Sequence, residues 1–218
     1  MSKPGLTPHP IVLRRLEVLR VDELTPRMRR ITLGGPELQA FERDGMPMPA
    51  FRADTFDDHL KVVFAPGGDL TEALPIQLAD GIDWGPSEHR ETRDYTPVHV
   101  DLDAGELVLD FVIHSADPTA HGPAEAWAAT AAPGDQLHVV GPKSSQHLPE
   151  DTAWTLLAGD ETALPAIDRF LRDRPLPGPV RIVVTVGDAT AQRELPLAAG
   201  DLIDWVVAEP GDKEALEA

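Results

Sequence analysis

At 218 residues, 42% of them hydrophobic and 26% charged, the chain has an ordinary globular make-up and room for one large domain or two small ones. Its formal net charge of −18, from 37 acidic against 19 basic residues, opposes nucleic acid and anionic membranes, so any anionic ligand has to meet a local basic cluster. The lack of cysteine excludes disulfides, cysteine-held iron–sulfur clusters and thiol chemistry, and no run is long enough to span a membrane.

The N-terminal Met1-Ser2-Lys3-Pro4-Gly5 lacks the apolar core of a signal peptide, which makes a soluble cytoplasmic protein the simplest expectation. Short β-prone runs follow at residues 11–21, 30–33, 59–64, 107–114 and 137–140. Turn sequences such as Pro66-Gly67-Gly68, Asp103-Ala104-Gly105 and Pro133-Gly134-Asp135 separate them. An Ala-rich helix at 124–132 interrupts the series, with Pro123 at a favourable first position and Pro133-Gly134 as its stop. Beyond the loop 141–151 the rhythm changes to a strand at 154–158, a helix with Leu164, Ile167, Phe170 and Leu171 on one face, and strands at 181–186 and 203–208. All three of these strands read as buried. The expected fold class is β plus α/β: an antiparallel Greek-key β-barrel over residues 10–148, then a small parallel α/β unit over residues 152–218.

Arg93-Asp94-Tyr95-Thr96, at the mouth of a strand, joins a guanidinium fork, a flat ring and a hydroxyl within four residues. A dinucleotide with a planar ring calls for this set: a bidentate donor for pyrophosphate, a stacking surface and a partner at the ring edge. Alternation puts Arg93 and Tyr95 on one side and Thr96 on the other. On their own the four residues also suit an ordinary surface strand. His121-Gly122-Pro123-Ala124 opens the Ala-rich helix, where free N–H groups favour phosphate; a plain helix cap is the alternative. Trp127 is expected to pack that helix on the barrel, and His114 ends an apolar strand as a structural residue or a ligand contact.

Gly159-Asp160-Glu161-Thr162 links the first parallel strand to its helix, at the carboxyl-end position where open sheets bind ligands. It is not a dinucleotide fingerprint, and its two carboxylates do not welcome a bare pyrophosphate. Thr162 is expected to cap the helix and face the cleft. The eight histidines show no metal-binding spacing, and Asp57-Asp58-His59 reads more simply as a turn before a strand.

These residues, in this order, resemble the siderophore-interacting protein family of flavin-containing ferric-siderophore reductases, related to the ferredoxin–NADP reductases. The resemblance runs from about Val12 to Val207. Its carriers are Asp58-His59-Leu60-Lys61, Arg93-Asp94-Tyr95-Thr96-Pro97, Asp110-Phe111-Val112-Ile113-His114, Gly122-Pro123-Ala124 with Trp127, Pro133-Gly134-Asp135, Gly141-Pro142, and the specific run from Leu157 through Gly159-Asp160-Glu161-Thr162-Ala163-Leu164-Pro165 to Ile167. It implies a FAD-binding barrel beside an NAD(P)H-binding unit. Arg93 would grip the pyrophosphate, Tyr95 would pack on the flavin and Thr96 would face the ring edge. Gly122 and Ala124 would offer backbone to phosphate, His114 would lie on the adenine side, and Asp160 and Thr162 would close the cleft. The implied reaction passes a hydride from NAD(P)H to FAD and single electrons to Fe(III) in a siderophore, with Lys61 steering the anionic chelate. No acid–base residue is required.

The chain departs from the family pattern at several points. Glu125 stands where a small or hydroxyl residue is usual beside the phosphates, and Val98, His99 and Ala126 stand where basic residues are frequent. The sequence after Val206-Val207-Ala208 is shorter than the family's. Two alternatives to a reductase therefore stay open: a flavin-binding module without its own NAD(P)H activity, and a homologue that has lost flavin.

Overall fold

The computed structural model describes residues 5–114, 117–149 and 151–208. The last ten residues assigned to the second unit, 209–218, lie outside the described residues, as do most of the N-terminal segment and the chain ending.

Seven strands form one antiparallel sheet: β1 (Leu13–Thr25), β2 (Met28–Gly34), β3 (Leu60–Phe64), β4 (Glu91–Tyr95), β5 (His99–Asp101), β6 (Glu106–Val112) and β7 (Gln136–Val140). Their spatial order is β5-β6-β2-β1-β7-β3-β4. Alternation of apolar residues along β1, β2, β6 and β7 turns Leu16, Val18, Ile31, Leu33, Leu109, Phe111, Leu137 and Val139 into one core, and the sheet curls around it as a half-barrel. The consecutive strands β4 and β5 occupy opposite edges. Only Thr96-Pro97-Val98 separates them, so this short link bridges the seam where the curled sheet comes back on itself; Val98 N–H bonds the Val108 carbonyl at 2.8 Å.

The helix α1 (Pro123–Thr130) packs on the barrel, with Ala124 and Ala128 buried in its core. Pro123 begins it as expected, but it stops at Thr130, two residues early. Trp127 packs into the barrel core, 5.4 Å from the Phe111 ring and 6.4 Å from Phe64, so its expected packing role holds.

The second unit has three parallel strands, β8 (Thr155–Asp160), β9 (Val180–Val186) and β10 (Leu202–Val207), in sequential order, with helix α2 (Leu164–Asp173) crossing between the first two. Leu164, Ile167, Phe170 and Leu171 of α2 cover Val180, Ile182, Val184 and Val186. The expectation of three buried strands is corrected here. Among the described residues only one face of this sheet is covered, and Trp154, Leu156 and Leu202 are more than half exposed on the other. Met28 and Val112 of the barrel enter the same core as α2, and Phe56 meets Phe170 edge-on at 5.0 Å, so the two units pack as neighbours rather than as beads on a linker.

Charge knits the same junction. Asp110 on β6 takes both arms of Arg30 at 2.7 and 2.8 Å, and Asp168 on α2 receives Arg172 at 2.8 Å and Arg193 at 2.9 Å. Burial works against the Asp168 carboxylate, but the hydrogen bonds and charge of Arg172 and Arg193 outweigh it and hold its pKa below the ordinary value. Arg27, in the β1–β2 turn, reaches across to Glu161 at 3.2 Å and Asp188 at 3.3 Å.

Candidate functional site

A cleft of about 400 Å³ opens where β4, β6, the start of α1 and the turn before α2 converge. Its walls include Arg93, Tyr95, Thr96, His114, Gly122, Ala124 and Thr162. Seven residues singled out from four separate stretches of sequence are thus brought to one surface. The volume lies in the range of small-ligand pockets, roughly 300–1,000 Å³.

The β4 side supplies a ring and a cation. Tyr95 lies against Phe111 with ring centroids 4.3 Å apart, so its outer face is held at a fixed angle by the barrel core. Burial pushes the Tyr95 phenol well up; the Arg93 charge opposes this and the Glu125 charge adds to it, leaving a neutral hydroxyl at physiological pH. Arg93 bonds Glu91 at 2.8 Å and the Thr92 carbonyl at 2.9 Å. Thr96 faces the same cleft as Arg93 and Tyr95, against the strict alternation expected, because β4 ends at Tyr95 and the chain turns into the seam. Among the described residues no hydrogen bond is made by the Thr96 hydroxyl.

The α1 side offers backbone. Gly122 is the N-cap, and an added Cβ there would meet no atom within 4 Å, so a ligand can approach the main chain closely. The first turn leaves the Ala124 N–H outside the helical ladder and pointing at the N-terminal end. Glu125 follows immediately. Its carboxylate does not turn to solvent: the side chain is only 10% exposed and lies 3.4 Å from His121 Nε2. His114 borders the cleft and is exposed.

The α2 side closes the cleft, with roles reassigned. Thr162 does not cap α2, whose N-cap Ala163 makes no side-chain bond; Asp160 caps the single 3-10 turn Glu161–Ala163 before it, accepting the Thr162 N–H at 2.8 Å and the Thr162 hydroxyl at 2.5 Å. Thr162 therefore shows the cleft an oxygen lone pair, its proton being committed to Asp160. Asp160 itself is not part of the lining, and neither is Lys61, whose ammonium bonds Asp94 at 2.8 Å. Asp58, beside it, is spent on Thr55 and Ser145 at 2.7 and 2.6 Å.

Sequence reasoning gave no role to Asp110, which lines the cleft with its side chain fully buried. The available signal was a carboxylate inside the apolar strand Glu106–Val112, a placement that demands a partner. That partner, Arg30, lies 80 residues away in sequence.

The donor set suits a flavin dinucleotide. A ring platform, a guanidinium, an uncommitted hydroxyl and an open helix start surround one cleft; of the three carboxylates lining it, Asp94 is paired with Lys61 and Asp110 with Arg30, while Glu125 lies beside His121 in the first turn of α1.

Comparison with known proteins agrees with this geometry. Residues 17–146 match the siderophore-interacting FAD-binding domain and residues 152–218 match the siderophore-interacting protein family. The chain is 36% identical over 208 residues to the NADPH-dependent ferric-chelate reductase of Escherichia coli K12, covering 94% of this chain and 74% of that protein. It is 28% identical to the ferric vibriobactin reductase of Vibrio cholerae, covering 94% and 70%. A siderophore utilization protein from T. fusca superposes with a TM-score of 0.82 at 35% identity, covering 99% of this chain and 79% of the other. The chain belongs to the siderophore-interacting protein family.

Proposed function

We propose that the protein is a FAD-dependent oxidoreductase that uses NAD(P)H to reduce ferric siderophores and release Fe(II). The convergence of Arg93, Tyr95, Thr96, the Gly122–Ala124 helix start and Thr162 on one cleft carries this reading. Relatives named as an NADPH-dependent ferric-chelate reductase and a ferric vibriobactin reductase support it. We take residues 10–148 as the flavin-binding unit and 152–218 as the NAD(P)H-binding unit. The need for a reduced nicotinamide pool favours a cytoplasmic setting.

The chemistry FAD supplies when bound is the conversion of a two-electron hydride donor into one-electron reduction of Fe(III), whose reduced form hard oxygen ligands hold far less tightly. The chain's own residues bind, orient and insulate. Arg93 and the Ala124 N–H neutralise phosphate, Tyr95 supplies a stacking face, and His114 borders the remaining wall. Thr96 and Thr162, which line the same cleft from the two units, would offer a bound flavin a hydroxyl and an oxygen lone pair. Asp160 orients Thr162. Lys61 stays outside the cleft, and to draw an anionic chelate toward its mouth it has to give up its bond to Asp94 at 2.8 Å.

The test is a visible spectrum of the purified protein with FAD, taken without oxygen. The expected result is uptake of one FAD, bleaching by NADH or NADPH, and recovery on adding a ferric siderophore, with Fe(II) trapped by a ferrous chelator. A protein that takes up no FAD overturns the reading. Uptake without bleaching by either nucleotide leaves a flavin-binding module fed by another donor.

A further inference from the structure

Helix α2 does more than cover its own sheet. Arg169, buried at the junction, donates from Nη1 to the Pro97 carbonyl at 3.1 Å and from Nη2 to the Ala53 carbonyl at 2.6 Å. One turn further on, Arg172 donates from Nη2 to the Val98 carbonyl while its Nε is anchored on Asp168 at 2.8 Å. Pro97 and Val98 are buried, and the Val98 N–H is tied to Val108 of the barrel. Two adjacent carbonyls of the seam are thus gripped from the second unit, and the amide between them from the first. The residue just before this grip is Thr96, whose hydroxyl faces the cleft without a protein partner among the described residues.

We propose that Arg169 and Arg172 are positioning residues. They fix the Thr96-Pro97-Val98 link so that the Thr96 hydroxyl and the Tyr95 ring present one geometry to bound flavin, and through them the nicotinamide-side unit sets the electronic environment of the flavin. The functional half rests on the flavin reading above; the clamp itself does not. Charge-assisted bonds to carbonyls are the stronger class of hydrogen bond, and a seam between sheet edges has no ladder of its own to hold it. Asp168 keeps Arg30 and Arg193 when Arg172 is changed, so the loss need not expose an unpaired buried charge.

The test uses Arg172→Lys and Arg169→Lys, which keep charge but lose the fork, together with Arg172→Gln as a second variant. In flavin-free protein, amide exchange at Val98 and His99 is expected to quicken about tenfold in the variants while β8–β10 stay protected. Unchanged exchange at these amides overturns the clamp whether or not flavin binds. With FAD added, the variants are expected to keep FAD affinity within about threefold, to shift the visible flavin bands and midpoint potential, and to lower kcat with little change in KM for the ferric chelate. Quickened exchange with wild-type flavin spectrum and potential overturns the positioning role. Wild-type protein that binds no FAD overturns the flavin reading and the functional half with it.

Discussion

Arg93 and Glu91 lie two residues apart on β4 and form an ion pair, Nη2 to Oε2 at 2.8 Å, with both side chains close to half exposed. Among the described residues lining the cleft, Arg93 is the one arginine or lysine, so its release from Glu91 is part of the cost of gripping phosphate. A charge-assisted bond to phosphate is worth about 1.5–3 kcal/mol. The exposed pair with Glu91 offsets about 0–1 kcal/mol of that. Arg93→Ala is therefore expected to weaken FAD binding about tenfold, and Glu91→Gln to tighten it by less than about fivefold. Fluorescence titration of FAD at fixed ionic strength checks both. Equal affinities in wild type and Arg93→Ala would remove Arg93 from the phosphate site.

Two glycines at the cleft separate stability from binding. At Gly159 an added Cβ would come 2.5 Å from the Ala163 Cβ, so the strand end and the turn carrying Thr162 touch there. Gly159→Ala should cost about 1–3 kcal/mol by overpacking and loosen the Glu161–Ala163 turn. At Gly122 the added Cβ meets nothing and φ is −70°, which alanine adopts freely. Gly122→Ala should leave the melting temperature unchanged and weaken FAD binding. Melting curves with and without FAD read both effects. A Gly122→Ala protein with full FAD affinity would show that the ligand does not approach this backbone.

Acid stability turns on Asp201. Its carboxylate accepts from Arg174, from the Ala198 N–H at 2.7 Å and from the Val180 N–H at 2.9 Å, tying the turn before β10 to the start of β9. The Arg174 bond, reinforced by the two amides, pulls its pKa down to about 2, against 3.8 for an unperturbed aspartate. The folded value is the lower one, so the stabilisation is complete above the unfolded value and is lost as pH falls through the folded one. Asp201→Asn should be less stable than wild type at pH 6, and the gap should close between about pH 4 and pH 2. Urea unfolding across that range measures it; a gap independent of pH would mean that the amides alone do the work.

The sequence made the cleft legible because its contributors carry local signals. Pro123 marks a helix start, Arg93-Asp94-Tyr95-Thr96 lies at the mouth of a strand, and Gly159-Asp160-Glu161-Thr162 marks a strand-to-helix turn, although the capping residue there is Asp160 and not Thr162. What stayed hidden is set at long range. Nothing local says that β4 and β5 sit at opposite sheet edges, or that Arg30 and Asp110 meet across 80 residues. The buried reading of β8–β10 failed because apolar runs record propensity, whereas burial depends on a second covering layer. The family resemblance implies that Lys61 steers the chelate, but its register on β3 puts it opposite Asp94, with which it pairs.

Glu125 lies in the first turn of α1 and lines the cleft, and the protein carries its own reporter for the Glu125 charge. Tyr95 is the only tyrosine in the chain, so ultraviolet absorbance of phenolate formation follows one group. Burial is the main reason its phenol ionises well above the usual value, and the neighbouring charges act on top of that in opposite directions. Forming a phenolate next to a carboxylate is unfavourable, and next to a guanidinium favourable. Glu125→Gln should therefore lower the Tyr95 pKa, and Arg93→Ala should raise it, each by less than burial does. The same Glu125→Gln change removes a negative charge from beside the α1 start. FAD affinity should rise by roughly fivefold, taking the repulsion as about 1 kcal/mol across partly hydrated space. Rapid pH-jump absorbance and FAD titration on one pair of proteins give both numbers. If Tyr95 shifts and FAD affinity does not, the carboxylate faces the ring and not the phosphates; if neither moves, Glu125 lies too far from the ligand to matter.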